Sequence, residues 1–175
     1  MVNPSASDNY FRFFGLEPQF NIELSALDQA YMAIQKEVHP DRHARGSDAE
    51  QRLAMQMATF ANTAFQTLKN PIQRGLYLCK LHGVDARLET NTAMPAVFLM
   101  KQMEWRESLE EQGDDLNALE ALADEVNNAK RETLSEIIQA IDVAKNYERA
   151  AELLRGLLFI DKFALELDDA ISALV

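Results

Sequence analysis

Within the five residues His39-Pro40-Asp41-Arg42-His43 the chain gathers two imidazoles and a carboxylate around a proline. Such a run could do one of three things. The H-x-D-x-H spacing of His39, Asp41 and His43 offers three potential metal ligands. A carboxylate on a constrained bend can instead form a charge-assisted bond to a basic group of another molecule. The third reading is an ordinary turn. Proline has no N–H and pushes the residue before it out of the helical region, so a preceding helix should stop near Val38. His39 and Asp41 would then project from a loop. Pro40 also spoils the i, i+4 geometry that makes paired histidines effective ligands, and no further His or Cys lies nearby, which weighs against a metal site.

The elements on either side favour a binding tip. Apolar residues Leu27, Tyr31, Ile34 and Val38 fall at i, i+4, i+7 and i+11, one face of a helix over about Glu23–Val38. After the loop His39–Gly46, Ser47-Asp48-Ala49-Glu50 is a Ser-x-x-Glu capping box that opens a second helix with the stripe Leu53, Met57, Phe60, Ala64 and Leu68. Two helices of similar length joined by so short a segment should pack as an antiparallel hairpin, with His39-Pro40-Asp41 at its tip. Upstream, Asn9–Leu16 (NYFRFFGL) reads as a short buried helix stopped at Gly15. Downstream, Pro71 opens a fourth helix that ends near Gly83. His82 reads as a helix-end residue bonding a terminal carbonyl, and Cys79 as core packing.

Composition bounds the function. The chain has 175 residues, 47% of them apolar, with a net charge of −11, which disfavours nucleic acid as a partner. No apolar run reaches the ~20 residues of a membrane span. Met1–Asp8 does not predict a secretory leader. The single cysteine rules out an internal disulfide and fits a reducing, cytoplasmic setting. Phosphate loops, nucleophile elbows and cysteine motifs are absent, so neither an enzyme nor a cofactor is expected.

The charge is unevenly placed. Up to Met94 there are 9 Lys+Arg against 10 Asp+Glu, and from Pro95 onward 8 against 18. This asymmetry predicts two units: residues 1–83, a polar linker over 84–94, and an acidic unit over 95–175. The acidic unit reads as three helices, about Pro95–Gln112, Leu116–Ala144 and Tyr147–Leu174, forming an antiparallel bundle. No strand pattern stands out, and the expected fold class is all-α. On the Pro95–Gln112 helix, Phe98, Gln102, Trp105 and Leu109 share one face, while Leu99, Met100, Met103, Glu104, Glu107 and Glu111 occupy an arc roughly opposite. One apolar face suffices for a core, so the second, carboxylate-rimmed strip is either a protein-binding surface or is buried between the units or against another helix.

The aromatic opening NYFRFFGL, the helix–His-Pro-Asp–helix hairpin, and Leu68-Lys69-Asn70-Pro71 followed by Arg74 and Tyr77-Leu78 resemble a J-domain. Joined to Leu81-His82-Gly83 and the acidic helical half, they resemble the HscB family of iron–sulfur cluster co-chaperones, over nearly all the length from about Asn9 to Leu174. The resemblance implies a protein that activates the ATPase of a DnaK-class chaperone, HscA, and delivers to it the cluster scaffold IscU. It implies that His39, Pro40 and Asp41 contact the chaperone, with basic support from Lys36, Arg42 and Arg45. It implies scaffold contacts from Leu99, Met100, Met103, Glu104, Glu107 and Glu111, and from Phe159 on the last helix, with Phe163 one turn on. Two departures stand out. The helix before the tip carries only Lys36 where J-domains have several basic residues, and Val38 replaces the usual Tyr. The alternatives are a J-domain adaptor for a different client, and a helical metalloprotein using His39, Asp41 and His43.

Overall fold

A computed structural model describes residues 9–86 and 94–175. The described residues are all helical or turn, with no strand, as the periodicities predict. The helices are α1 (Tyr10–Phe13), α2 (Leu24–Val38), α3 (Pro40–His43), α4 (Asp48–Lys69), α5 (Pro71–Leu81), α6 (Ala96–Glu111), α7 (Leu116–Ile138) and α8 (Tyr147–Ser172). Two compact units divide the chain, Met1–Tyr77 and Leu78–Val175, so α5 begins in one and ends in the other. Most of the expected linker over 84–94 lies outside the described residues.

In the first unit α2 and α4 form the hairpin. Partners descend α4 as they climb α2, from Asp28–Lys69 through Tyr31–Phe65 to Gln35–Asn62, which makes the pair antiparallel. Leu27, Val38, Met57, Ala64 and Leu68 are buried between them, and Tyr31 stacks on Phe65 with centroids 4.0 Å apart. The aromatic α1 closes one side. Phe11 is fully buried, Phe13 meets Phe60 edge-on at 4.8 Å, and Tyr10 stacks on Tyr77 at 4.4 Å while its N–H donates to the Tyr77 hydroxyl. Arg74 is buried beneath these helices. It donates to the carbonyls of Phe20 and Leu68, both at 2.7 Å, and so satisfies a helix-end oxygen that α4 leaves open.

The second unit holds α6, α7 and α8 in up-down-up order. Its core joins Trp105 to Leu119, Leu122, Val126, Ile160, Phe163 and Leu167. Asp115 caps α7 by accepting from the N–H groups of Asn117 and Ala118, and Asn146 caps α8 by accepting from Arg149. The sequence predicts one helix from Leu116 to Ala144. Instead α7 ends at Ile138 and a π turn runs over Gln139–Val143. The extra residue in that turn lets Ala140 and Ile141 stay buried before Lys145, at φ 54°, reverses the chain. The end of α5 packs in this unit too. Gly83, at φ 78°, supplies the left-handed residue that stops the helix. His82 donates from Nδ1 to the Leu78 carbonyl at 2.9 Å and stacks on Tyr147 at 3.9 Å. Cys79 is fully buried, and that burial pushes its thiol up to about 11.

Candidate functional site

The tip of the hairpin differs from the expected loop. His39 is extended (φ −57°, ψ 133°), but Pro40 starts the one-turn helix α3 at once. A proline that cannot continue α2 is well suited to the first position of the next helix, where its missing N–H costs nothing and its φ is already set. His39 serves both helices, ending α2 and capping α3, with its Nδ1 accepting from the Asp41 N–H at 3.3 Å. The same nitrogen lies 3.6 Å from Asp41 Oδ2. His43 turns back and donates from Nε2 to the Glu37 carbonyl at 2.9 Å. Behind it Ser47 and Glu50 complete the capping box, which holds the Glu50 carboxyl below its usual range.

The outcome is a carboxylate presented to water on a short turn capped by His39: the Asp41 side chain is 91% exposed. Lys36, Arg42 and Arg45 are exposed as well. His43 is bonded to backbone, and among the described residues no group of three His, Cys, Asp or Glu is placed to hold an ion.

The α6 helix presents a different kind of surface. Trp105 is buried, stacks on Phe163 at 5.6 Å and donates its indole N–H to Glu125 of α7 at 3.1 Å. The same carboxylate oxygen takes the Lys101 ammonium at 2.6 Å. Lys101, and after it Trp105, hold the Glu125 carboxyl below the usual carboxylate range, while the bond to Glu125 pushes the Lys101 ammonium up. On the other flank Arg106 pairs with both oxygens of Glu166 on α8, at 3.1 and 3.3 Å. These contacts fix which way α6 faces. Leu99 is 44% exposed, Met100 62% and Met103 72%, and Glu104, Glu107 and Glu111 are exposed beside them. The strip is therefore not buried against another bundle helix.

Phe159 is half-buried, with the Lys162 ammonium 6.0 Å from its ring centroid. Phe163, one turn on, is not at the surface: it belongs to the core beneath Trp105, because α8 turns that position inward. Sequence reasoning also passed over Val97, which is 79% exposed at the start of α6 and extends the apolar strip. Its apolar type at a helix position outside the Phe98–Trp105 face was the available signal. The role of Glu125 had no such signal, since a glutamate on α7 reads as solvated.

A helical hairpin with His-Pro-Asp at its tip, followed by a three-helix bundle, defines the class of J-type co-chaperones. The HSCB C-terminal oligomerisation domain matches residues 94–168. The "Co-chaperone protein HscB homolog" of Ralstonia nicotianae is 45% identical over 172 residues, covering 97% of this chain and 98% of that protein. Among solved structures, chaperone HscB from Vibrio cholerae superposes with a TM-score of 0.82 at 36% identity, over 96% of this chain and 100% of that one. Human co-chaperone protein HscB superposes at 0.86 with 27% identity, over 96% and 84%. The chain belongs to the HscB family of J-domain co-chaperones of iron–sulfur cluster assembly.

Proposed function

We propose that the protein brings an IscU-type iron–sulfur scaffold to a DnaK-class chaperone of the HscA kind and stimulates that chaperone's ATPase. Residues 1–83 act as the J-domain and residues 95–175 as the scaffold-binding domain, with 84–94 between them. Asp41, stiffened by His39 and Pro40, forms a charge-assisted bond to a basic group of the chaperone, and Lys36, Arg42 and Arg45 steer the encounter. Leu99, Met100 and Met103, with Phe159, dock on the scaffold, and Glu104, Glu107 and Glu111 select its basic residues. The observation that carries this reading is the exposed Leu99/Met100/Met103 strip. A core helix has no use for a second apolar face, and water disfavours it unless a partner covers it.

Two variants measured in two assays test the proposal. Asp41→Asn should abolish stimulation of single-turnover ATPase yet leave scaffold affinity unchanged. Leu99→Ala with Met103→Ala, still folded, should weaken scaffold binding roughly 10- to 100-fold, as loss of two interface anchors does. Equal stimulation by Asp41→Asn would end the trigger mechanism. Unchanged scaffold affinity in the double variant would assign the strip to another client.

A further inference from the structure

The proposed scaffold footprint draws on two helices, with its strip on α6 and Phe159 on α8. Its shape depends on how closely α6 sits on α8. Gly156 lies in the interior of α8, where glycine costs about 1 kcal/mol relative to alanine. The backbone does not require it there, because only Gly15 and Gly83 among the described glycines have positive φ. The reason lies on the facing helix. A Cβ on Gly156 would meet the Phe98 ring at 2.8, 2.8 and 3.2 Å. Ordinary carbon contacts lie at about 3.5–4.0 Å, so the ring occupies the space a methyl group would need.

Phe98 precedes Leu99 and Met100 directly, so its seat on the α8 backbone sets the height of the first half of the strip. Trp105, stacked on Phe163 and bonded to Glu125, sets the second half. Phe159 lies three residues beyond Gly156, on the neighbouring part of the same α8 face. We infer that Gly156 is a positioning residue for the scaffold face: by omitting one methyl group it lets Phe98 settle on α8 and fixes the strip relative to Phe159. This inference rests on the proposed scaffold role of the strip.

Gly156→Ala tests it well, because alanine improves helix propensity and any loss cannot come from fraying of α8. Two readouts apply: titration with a purified IscU-type scaffold, and emission of Trp105, the only tryptophan in the chain. In the wild-type background Gly156→Ala should raise Kd roughly tenfold and shift the Trp105 emission, with helix content unchanged. In a Phe98→Leu background, which removes the ring tip, the same substitution should change Kd less than about twofold. Wild-type affinity in Gly156→Ala, or an equal loss in both backgrounds, overturns the inference. If Leu99→Ala with Met103→Ala weakens binding and Gly156→Ala does not, only this inference fails. If neither weakens binding, the scaffold reading fails and takes the inference with it.

Discussion

The tip around Asp41 takes its shape from bonds within a few residues, His43 to Glu37 being the longest at six positions. The α6 strip is oriented by partners 20 and 60 positions away, Glu125 and Glu166. The first is polar, local and set by backbone; the second is apolar, extended and set by packing. A local site built on one carboxylate should fail outright when that group is changed. A packed surface should weaken by steps. The same difference separates their energetics, because the tip depends on geometry that a single capped turn supplies, whereas α6 faces the right way only while the bundle core holds it.

Substitutions can be ranked by how hard they press on this contrast. The largest effect belongs to Trp105→Ala, which removes the anchor of α6 and should destabilise the Leu78–Val175 unit by about 3–5 kcal/mol. Chemical denaturation followed by both assays should show scaffold binding lost at lower denaturant than scaffold-independent ATPase stimulation; simultaneous loss would make the two surfaces one cooperative structure. Ser47→Ala removes a helix cap behind the tip and should cost about 1 kcal/mol. Hydrogen exchange should rise in the first turn of α4 while scaffold affinity stays the same, and protection unchanged there would mean the tip does not depend on its cap. Replacing Glu104, Glu107 and Glu111 by Gln should have the mildest effect, slowing scaffold association roughly three- to tenfold at low salt and less at high salt. Stopped-flow mixing at two ionic strengths reads this directly, and a change confined to dissociation would mean these carboxylates are buried in the complex rather than steering it.

Much of this architecture was legible in the sequence because its signals are local. Pro40, the Ser47–Glu50 box, Gly83 and the stripes on α2, α4 and α8 each announce an element from within a few residues. The hairpin tip followed from two of these, although the one-turn α3 did not, since the same proline stops one helix and starts the next. The π turn escaped because a single extra residue leaves the surrounding periodicity nearly intact. Phe163 lies one turn from half-buried Phe159, yet it is three residues from Ile160 and four from Leu167, and that spacing puts it on the core face of α8. Glu125 and Gly156 were illegible for a different reason. Glu125 matters through Lys101 and Trp105, and Gly156 through Phe98, all on another helix, and a single chain read in order carries no record of such pairings.

The deep seat of Cys79 has a chemical consequence. Burial pushes this thiol up to about 11, so little thiolate forms at neutral pH, and only the thiolate attacks metals, alkylating agents or disulfides. The chain's only sulfhydryl is enclosed and directed at the Tyr147 carbonyl, 3.6 Å away. Reaction at that sulfur requires the end of α5 to leave the second unit first, so the rate of thiol labelling measures local opening rather than chemistry. The residue that looks most reactive on paper is thereby a clock for the fold.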